Sequence, residues 1–432
     1  MFQTMSNIWK VEDLRRRILF TLMMLVVFRI GSFIPVPNTN ADILKAMTDD
    51  SQGVFGLINA FSGGSFGNFS IFAMGIFPYI TASIIMQLLS MDVVPAFSRW
   101  AKEGEVGRRK IQQWTRYFTI ILAVVQSIAM SIGFNRMTQG ALILDPGFWT
   151  YFLISLTLTA GTAFLMWVGE QITEKGIGNG ISILIFAGIL AALPSMSMYV
   201  YNTFFPKGAN VAIGVLKTVG LLLIVVLMII AIIYIQQGVR KINVQYTKRV
   251  VGRKMYGGQS THIPLKVNAA GVIPVIFATS LLLFPPTIAN FWAGNPVADW
   301  IRINFDYTRA PLGMVLFVVL ILGFTYFYTF VQINPMQLSD QMKKNGGFIP
   351  GVRPGKQTLN YLTSTLNRLT LSGALFLAAI SIVPILFIGL AGLPQQVQVG
   401  GTSLLIVVGV ALETMKTIES QLIKRHYKGF MK

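Results

Sequence analysis

The sequence predicts an all-α polytopic membrane protein with ten transmembrane helices in two inverted five-helix halves. Three observations carry this. Of the 432 residues, 53% are hydrophobic and only 12% charged, and the mean hydropathy is +0.63, well to the apolar side of ordinary soluble domains. Windows of about 19 apolar residues recur along the whole chain. Two pairs of these windows also align with each other. The polar intervals reach only a few tens of residues, so one membrane domain over 1–432 is expected, its halves 1–200 and 201–432.

The first span, 18–36, follows Arg15, Arg16 and Arg17 and ends in FIPVPN with no small-residue cleavage site, so it reads as retained. Spans at 71–89, 118–134, 148–168 and 181–200 complete the first half. The second half carries 211–235, 269–289, 312–332, 369–390 and 402–422, the last running into ETMKTIESQ. An even number of spans puts both ends on one side. Lysine and arginine are retained in cytoplasmic loops. With the N-terminus inside, the only lysines and arginines that fall outside or within spans are Arg29, Lys45, Arg136, Lys207, Lys217, Arg302 and Arg309, out of 35. The expected topology is N-in and C-in, which concentrates the net charge of +19 on the cytoplasmic face.

The repeat is carried by AMGIFPYITAS (73–83) over AAGVIPVIFAT (269–279), and by GISILIFAGI (180–189) over GTSLLIVVGV (401–410). Repeats of five spans insert in opposite directions, which gives a pseudo-twofold axis in the membrane plane and a site at the interface of the halves. Short helices rich in glycine and isoleucine also match by chance, but the two alignments occur in the same order. They superpose Ile80 on Ile276 and Ile185 on Ile406, and Ile84 lies one turn beyond Ile80. Two readings stand: a ring around a common axis, or ordinary core packing.

Function classes drop out by composition. Cysteine is absent and only two histidines are present, His262 and His426, which argues against disulfides, thiol chemistry and most zinc sites. No metal, cofactor or catalytic residue is expected, and the chain is not read as an enzyme. Ion carriers place paired charges within their spans, whereas here Arg29 reads as snorkelling and Glu170 and Glu413 lie near inner ends. A greasy constriction offers an ion nothing in place of its water, but suits a deformable seal around something larger. The nearest approach to a phosphate-binding loop, PGVRPGKQ, has Pro350 in place of the first glycine and Gln357 in place of Ser or Thr. Work must therefore come from a partner. The basic inner loops 237–267 and 333–368 offer the docking surface. Their charge also serves topology, attraction to anionic lipid, or RNA binding.

The chain resembles the SecY/Sec61-alpha family, the channel subunit of the bacterial protein-export translocon. The resemblance rests on GIFPYITASIIMQLL, LTAGTAFLMWVGEQITEKGIGNGISILIF, STHIPLKVNAAGVIPVIFA, GFIPGVRPGKQT and GGTSLLIVVGV, and covers essentially the whole chain. It implies a clamshell of two halves around a central pore with a lateral gate to lipid. It also implies a constriction at Ile80, Ile84, Ile185, Ile276 and Ile406, and gate positions at Gln87 and Asn268. The alternative for Gln87 and Asn268 is hydrogen bonding that merely holds the bundle. Implied partners are the membrane subunits SecE and SecG, the ATPase SecA, the ribosome, anionic lipids, and the translocating polypeptide with its signal sequence. Docking of SecA or the ribosome falls on Arg240, Lys248, Arg249, Arg253 and Arg353. The expected location is the bacterial plasma membrane, and the expected function a protein-conducting channel. A small-solute secondary carrier is the runner-up, and a scaffolding subunit the third reading.

The stretch FSGGSFGNFS (61–70) lies just before the second span. Facing lipid, its unpaired backbone groups would each cost several kcal/mol, so it belongs inside protein or in a wet cavity. The family's plug occupies this place, near 55–70, and falls on Phe55, Leu57, Ile58, Phe61, Gly63, Gly64 and Phe66. The apolar members are expected against the isoleucines from outside. A structural re-entrant loop is the alternative.

Overall fold

The computed structural model describes residues 11–41, 43–44, 59, 62–90, 94–206, 211–246, 249–251, 254–256, 260–289, 292, 294–390 and 401–429. Each of the ten apolar segments carries a helix. In the first half these are α1 (Glu12–Gly31), α2 (Phe77–Leu89), α4 (Glu105–Met137), α5 (Phe148–Lys175) and α6 (Gly180–Phe204). In the second they are α7 (Val211–Gln237), α8 (Ile273–Ala289), α10 (Pro311–Gln332), α12 (Lys356–Leu390) and α13 (Gly401–Gly429). Seven helices among the described residues are by themselves long and apolar enough to cross a membrane, and α2 and most of α8 are shorter apolar helices.

Those two shorter helices start later than hydropathy predicts. The apolar windows open at 71 and 269, but residues 71–76 form turns and the helices begin at Phe77 and Ile273. The cause is a left-handed glycine in each, Gly75 at φ +56 and Gly271 at φ +66, which breaks the helical run. A proline follows as the second helical residue, Pro78 or Pro274, where its missing N–H costs nothing. Gly75 and Gly271 are aligned in the internal repeat, so the backbone repeats as well as the sequence.

Close helix approach repeats too. A Cβ on Gly161 of α5 would lie 1.9 Å from the Ile71 carbonyl oxygen, and one on Gly373 of α12 would lie 2.8 Å from that of Val267. The aligned pair Gly180 and Gly401 open α6 and α13. A Cβ on either would lie 1.9 Å from a carbonyl oxygen of the preceding helix, Gly169 or Ile380. Only a residue without a side chain lets these backbones meet. Gly401→Ala is therefore expected to cost about 1–3 kcal/mol through overpacking. A lower melting temperature of the purified protein checks this, and an unchanged one would count against the α12–α13 contact.

The packing of one half is the packing of the other. Within the first half α2 packs on α4, α4 on α5, α5 on α6, and α1 on α5 and α6. In the second half α8 packs on α10, α10 on α12, α12 on α13, and α7 on α12 and α13. The halves meet along two seams. On one, α6 packs against α13 and α7; on the other, α8 packs against α2 and α4. This is a clamshell with two opposing seams, and the main apolar core lies between them.

Hydropathy does not reveal the elements between spans. Short helices α3 (Pro95–Lys102), α9 (Pro296–Asn304) and α11 (Pro335–Lys344) fill three of the connections. The two basic loops join into one sheet. Strand β1 (Val239–Tyr246) pairs antiparallel with β4 (Ser260–Lys266), Ile242 opposite Ile263, and on its other edge with β5 (Gly347–Phe348), Gln245 opposite Phe348. Between β1 and β4, β2 (Arg249–Val251) pairs with β3 (Lys254–Tyr256). Ile242 and Val244 alternate inward from β1, as period-two patterning requires, and pack with Leu265, Met342, Ile349 and Leu362. The loops expected to be shaped are shaped by each other.

A sealed funnel between the two halves

The five candidate isoleucines come from four helices: Ile80 and Ile84 from α2, Ile185 from α6, Ile276 from α8 and Ile406 from α13. All five are buried in one apolar cluster. The start of α6 is fixed by Asn179, whose side-chain oxygen accepts from the Ile181 and Ser182 amides, and so sets where Ile185 falls one to two turns later.

Two cavities meet at these residues. The larger, about 770 Å³, has a polar wall that includes Arg109, Gln113, Gln171, Glu174 and Ser182, and its apolar end is formed by Ile80, Ile185 and Ile276 among others. The smaller, about 30 Å³, is lined by the same three isoleucines, with Ile406, Phe28 and Ser62 among its other walls. Three isoleucines therefore form a shared wall, a partition between the largely polar funnel and a small apolar space. Ile406 joins them on the apolar side. Ile84 shares the cluster but lines neither cavity.

The funnel wall holds an ion pair that sequence reasoning left unassigned. Arg116 Nε on α4 donates to Glu170 Oε1 on α5 at 2.7 Å, and Gln112 Nε2 donates to the same oxygen at 3.4 Å. Glu170 is the less exposed partner, so its charge is held by this pairing. An isolated carboxylate near the inner end of an apolar span was the available signal. A second polar cavity, of about 410 Å³, shares Asn179, Ser182, Ile273 and Tyr328 with the funnel.

The glycine-rich stretch is inside protein, as its backbone demands. Ser65 and Ser70 are fully buried, and the segment is tied to the chain that follows α1. Val36 N–H donates to Phe69 O at 3.0 Å and Ile71 N–H to Ile34 O at 2.9 Å. Ser62 and Gly63 are the members that approach the partition: Ser62 lines the small cavity, and a Cβ on Gly63 would lie 3.0 Å from Gly188 Cα on α6. Gly64 is left-handed, with open space around its Cα. Phe66 departs from expectation. It packs away from the isoleucines, edge-on to Phe134 of α4 with ring centroids 5.4 Å apart, in a separate cluster with Phe69 and Met74. The helical seat presented by α4 outcompetes the partition for this ring. Phe55, Leu57, Ile58 and Phe61 lie outside the described residues.

Arg29 does not snorkel. Its Nη1 donates to Gly63 O at 2.6 Å, and its guanidinium lies over the Phe33 ring at 4.5 Å.

Gln87 of α2 and Asn268 before α8 belong to the segments that meet at the second seam. Asn268 Nδ2 donates to Gly271 O at 3.0 Å, which steadies the turn into α8. Asn268 Oδ1 and Gln87 Oε1 are both buried without a hydrogen-bond partner among the described residues. Of the docking candidates, Arg240 is exposed on β1. Arg353 is exposed on a turn between Gly351 and Gly355, both left-handed. The Arg353 carbonyl accepts from Thr358 Oγ1 at 2.9 Å, anchoring that turn to α12. Arg249 lies in β2, while Lys248 and Arg253 lie outside the described residues.

Comparison with known proteins agrees with this architecture. The SecY protein-family model matches residues 70–415. The chain is 58% identical over 433 residues to the protein translocase subunit SecY of Bacillus licheniformis, covering 100% of both chains. It is 59% identical to that of Bacillus subtilis, again over 100% of both, and 51% identical to that of Staphylococcus aureus, over 100% of this chain and 99% of the relative. Among solved structures, it superposes on a protein conducting channel with TM-score 0.63 at 17% identity, covering 95% of this chain and 93% of that one. A structure described by the role of the SecY plug domain in stabilising the closed channel gives TM-score 0.64 at 18% identity, over 95% and 92%. Sec61 in a canine ribosome-channel complex gives 0.59 at 16%, over 95% and 93%. A full-length match at this identity, on a fold of two repeated halves closed over an isoleucine partition, makes this chain a member of the SecY family.

Proposed function

We propose that this protein is the conducting channel for unfolded secretory polypeptides across the bacterial plasma membrane, with both termini cytoplasmic, and that it releases apolar segments sideways into lipid. The observation that carries this is the wide polar funnel ending on a partition of isoleucines. Its mouth admits a chain, and its apolar floor closes around one without offering an ion a substitute for water. The secondary-carrier reading needs midplane charges at the repeat interface, whereas the partition is apolar and the nearest ion pair, Arg116–Glu170, stands in the funnel wall.

The seam of α8 against α2 and α4 is the lateral gate in this reading. Gln87 lines the funnel and Asn268 the second polar cavity, and neither side-chain oxygen bonds to a described residue, so no hydrogen bond from them locks this seam. An apolar signal segment entering there gains about 25 cal/mol per Å² of surface buried, a differential interaction that favours the open form. The segment at 62–70 is the plug, closing the partition from outside. The sheet built by the two basic loops, with Arg240 and Arg353 exposed, receives the energy-supplying partner, SecA or the ribosome, and SecE and SecG complete the assembly. A structural relative described with a ribosome supports the ribosome assignment. Anionic lipid gathers around the basic face.

The test is a secreted chain arrested in transit, with photocrosslinkers placed in turn at Ile80, Ile185, Ile276 and Ile406. Crosslinks from these positions and none from lipid-facing Leu22 or Leu223 are expected. Contacts from the lipid-facing pair with none from the four isoleucines would sink the assignment.

A further inference from the structure

We propose that Arg29 is the latch of the plug: it holds Gly63 in the closed seat, and its release sets how readily the plug leaves the partition. This rests on the channel reading above. Three features converge on Gly63. Its carbonyl accepts the 2.6 Å hydrogen bond from Arg29 Nη1. Its backbone is left-handed at φ +66, with room for no side chain against Gly188 of α6. The following amide, Gly64 N–H, donates to Asn59 O at 2.9 Å and closes the turn that presents the carbonyl to Arg29. Ser62, the adjacent residue, lines the small cavity with Ile80, Ile185, Ile276 and Ile406. Moving Gly63 therefore withdraws a wall of the space behind the partition.

The cation makes this contact asymmetric between the two states. Among the described residues the half-buried charge of Arg29 meets the Gly63 carbonyl and the Phe33 ring. A plug that leaves takes the carbonyl with it and leaves a poorly compensated guanidinium behind. The cost falls on the open state alone, which is the condition for biasing an equilibrium. A charge-assisted hydrogen bond in such a site shifts a two-state ratio by about tenfold or more.

The chain has no cysteine, so Ser62→Cys supplies a single thiol beside the latch. The full chain is expressed in spheroplasts without an engaged precursor, and labelling by a membrane-impermeant maleimide is timed from the outer face. Arg29→Gln is expected to raise the labelling rate about tenfold, and Arg29→Lys, which keeps the charge and a donor, to restore most of the slow rate. Phe33→Leu removes only the exposed ring under the guanidinium and is expected to raise the rate roughly two- to fivefold. Unchanged rates in Arg29→Gln and Phe33→Leu would overturn the proposal, as would Arg29→Lys labelling as fast as Arg29→Gln. If Arg29→Gln does not assemble, Phe33→Leu decides alone. No precursor is present in this assay, so flat labelling removes the latch and leaves the channel reading standing, whereas failure of the isoleucine crosslinks removes both.

Discussion

Ile276→Asn is expected to let precursors with defective signal sequences through and to make the idle channel leak ions. Ile276 is 8% exposed and lines both the funnel and the small cavity, so it is part of the partition itself. Losing its apolar contacts removes about 1.5–3 kcal/mol of burial. The new carboxamide also requires partners that the apolar floor does not supply, and water from the funnel is the available source. Both effects fall on the closed state. A combined loss of about 2 kcal/mol or more shifts the closed-to-open ratio roughly 30-fold or more. A signal segment then needs less apolar surface to open the seam of α8 against α2 and α4. Export of a precursor with a disabled signal sequence and conductance in planar bilayers measure the two consequences. Unchanged selectivity together with no added conductance would remove Ile276 from the seal.

Arg353→Glu is expected to abolish motor-driven export while leaving assembly intact. The side chain is exposed, and the turn carrying it is held by its own backbone, through Thr358 Oγ1 to the Arg353 carbonyl and the flanking left-handed glycines. Reversing the charge therefore leaves the fold standing and sets a carboxylate against the acidic groups with which a partner would meet the proposed basic docking face. At a desolvated charge pair the cost is about 2–5 kcal/mol, or roughly 30-fold or more in affinity. ATP-dependent translocation into vesicles is the measurement, with the amount of assembled protein as control. Normal translocation by this variant would exclude Arg353 from docking.

Much of the architecture is legible one residue at a time because a bilayer forces a simple choice. An apolar segment of sufficient length must satisfy its backbone internally, and a helix does this. Hence α7, the most apolar of the candidate spans and mostly exposed, matches its predicted limits almost to the residue. The isoleucines are legible for a different reason: the sequence repeat pairs Ile80 with Ile276 and Ile185 with Ile406. The late starts of α2 and α8 were missed because hydropathy measures transfer of side chains, whereas Gly75 and Gly271 act on backbone torsion. The backbone of FSGGSFGNFS requires a protein interior, and Ser65 and Ser70 lie fully buried. The seat of Phe66 did not follow from it, because which apolar surface an aromatic ring chooses depends on the shape of competing surfaces, here Phe134 against the partition.

Read alone, the sequence already carried the membrane class, the helical segments, the topology expected from lysine and arginine, the internal repeat and the pairing of Ile80 with Ile276 and of Ile185 with Ile406. These are written in local hydrophobicity, local charge and self-similarity, which need no knowledge of distant neighbours. It took the packed fold to show that Ile80, Ile185 and Ile276 are shared by a polar funnel and a small apolar space while Ile84 lines neither, and that two loops about a hundred residues apart pair into one sheet. The packed fold also decided that Arg29 turns inward to Gly63 instead of outward to the interface. The physical reason is the same in each case: a hydrogen bond or packed contact between residues remote in sequence is set by which helix faces meet, and that is fixed by the close approach of backbones at Gly161, Gly180, Gly373 and Gly401.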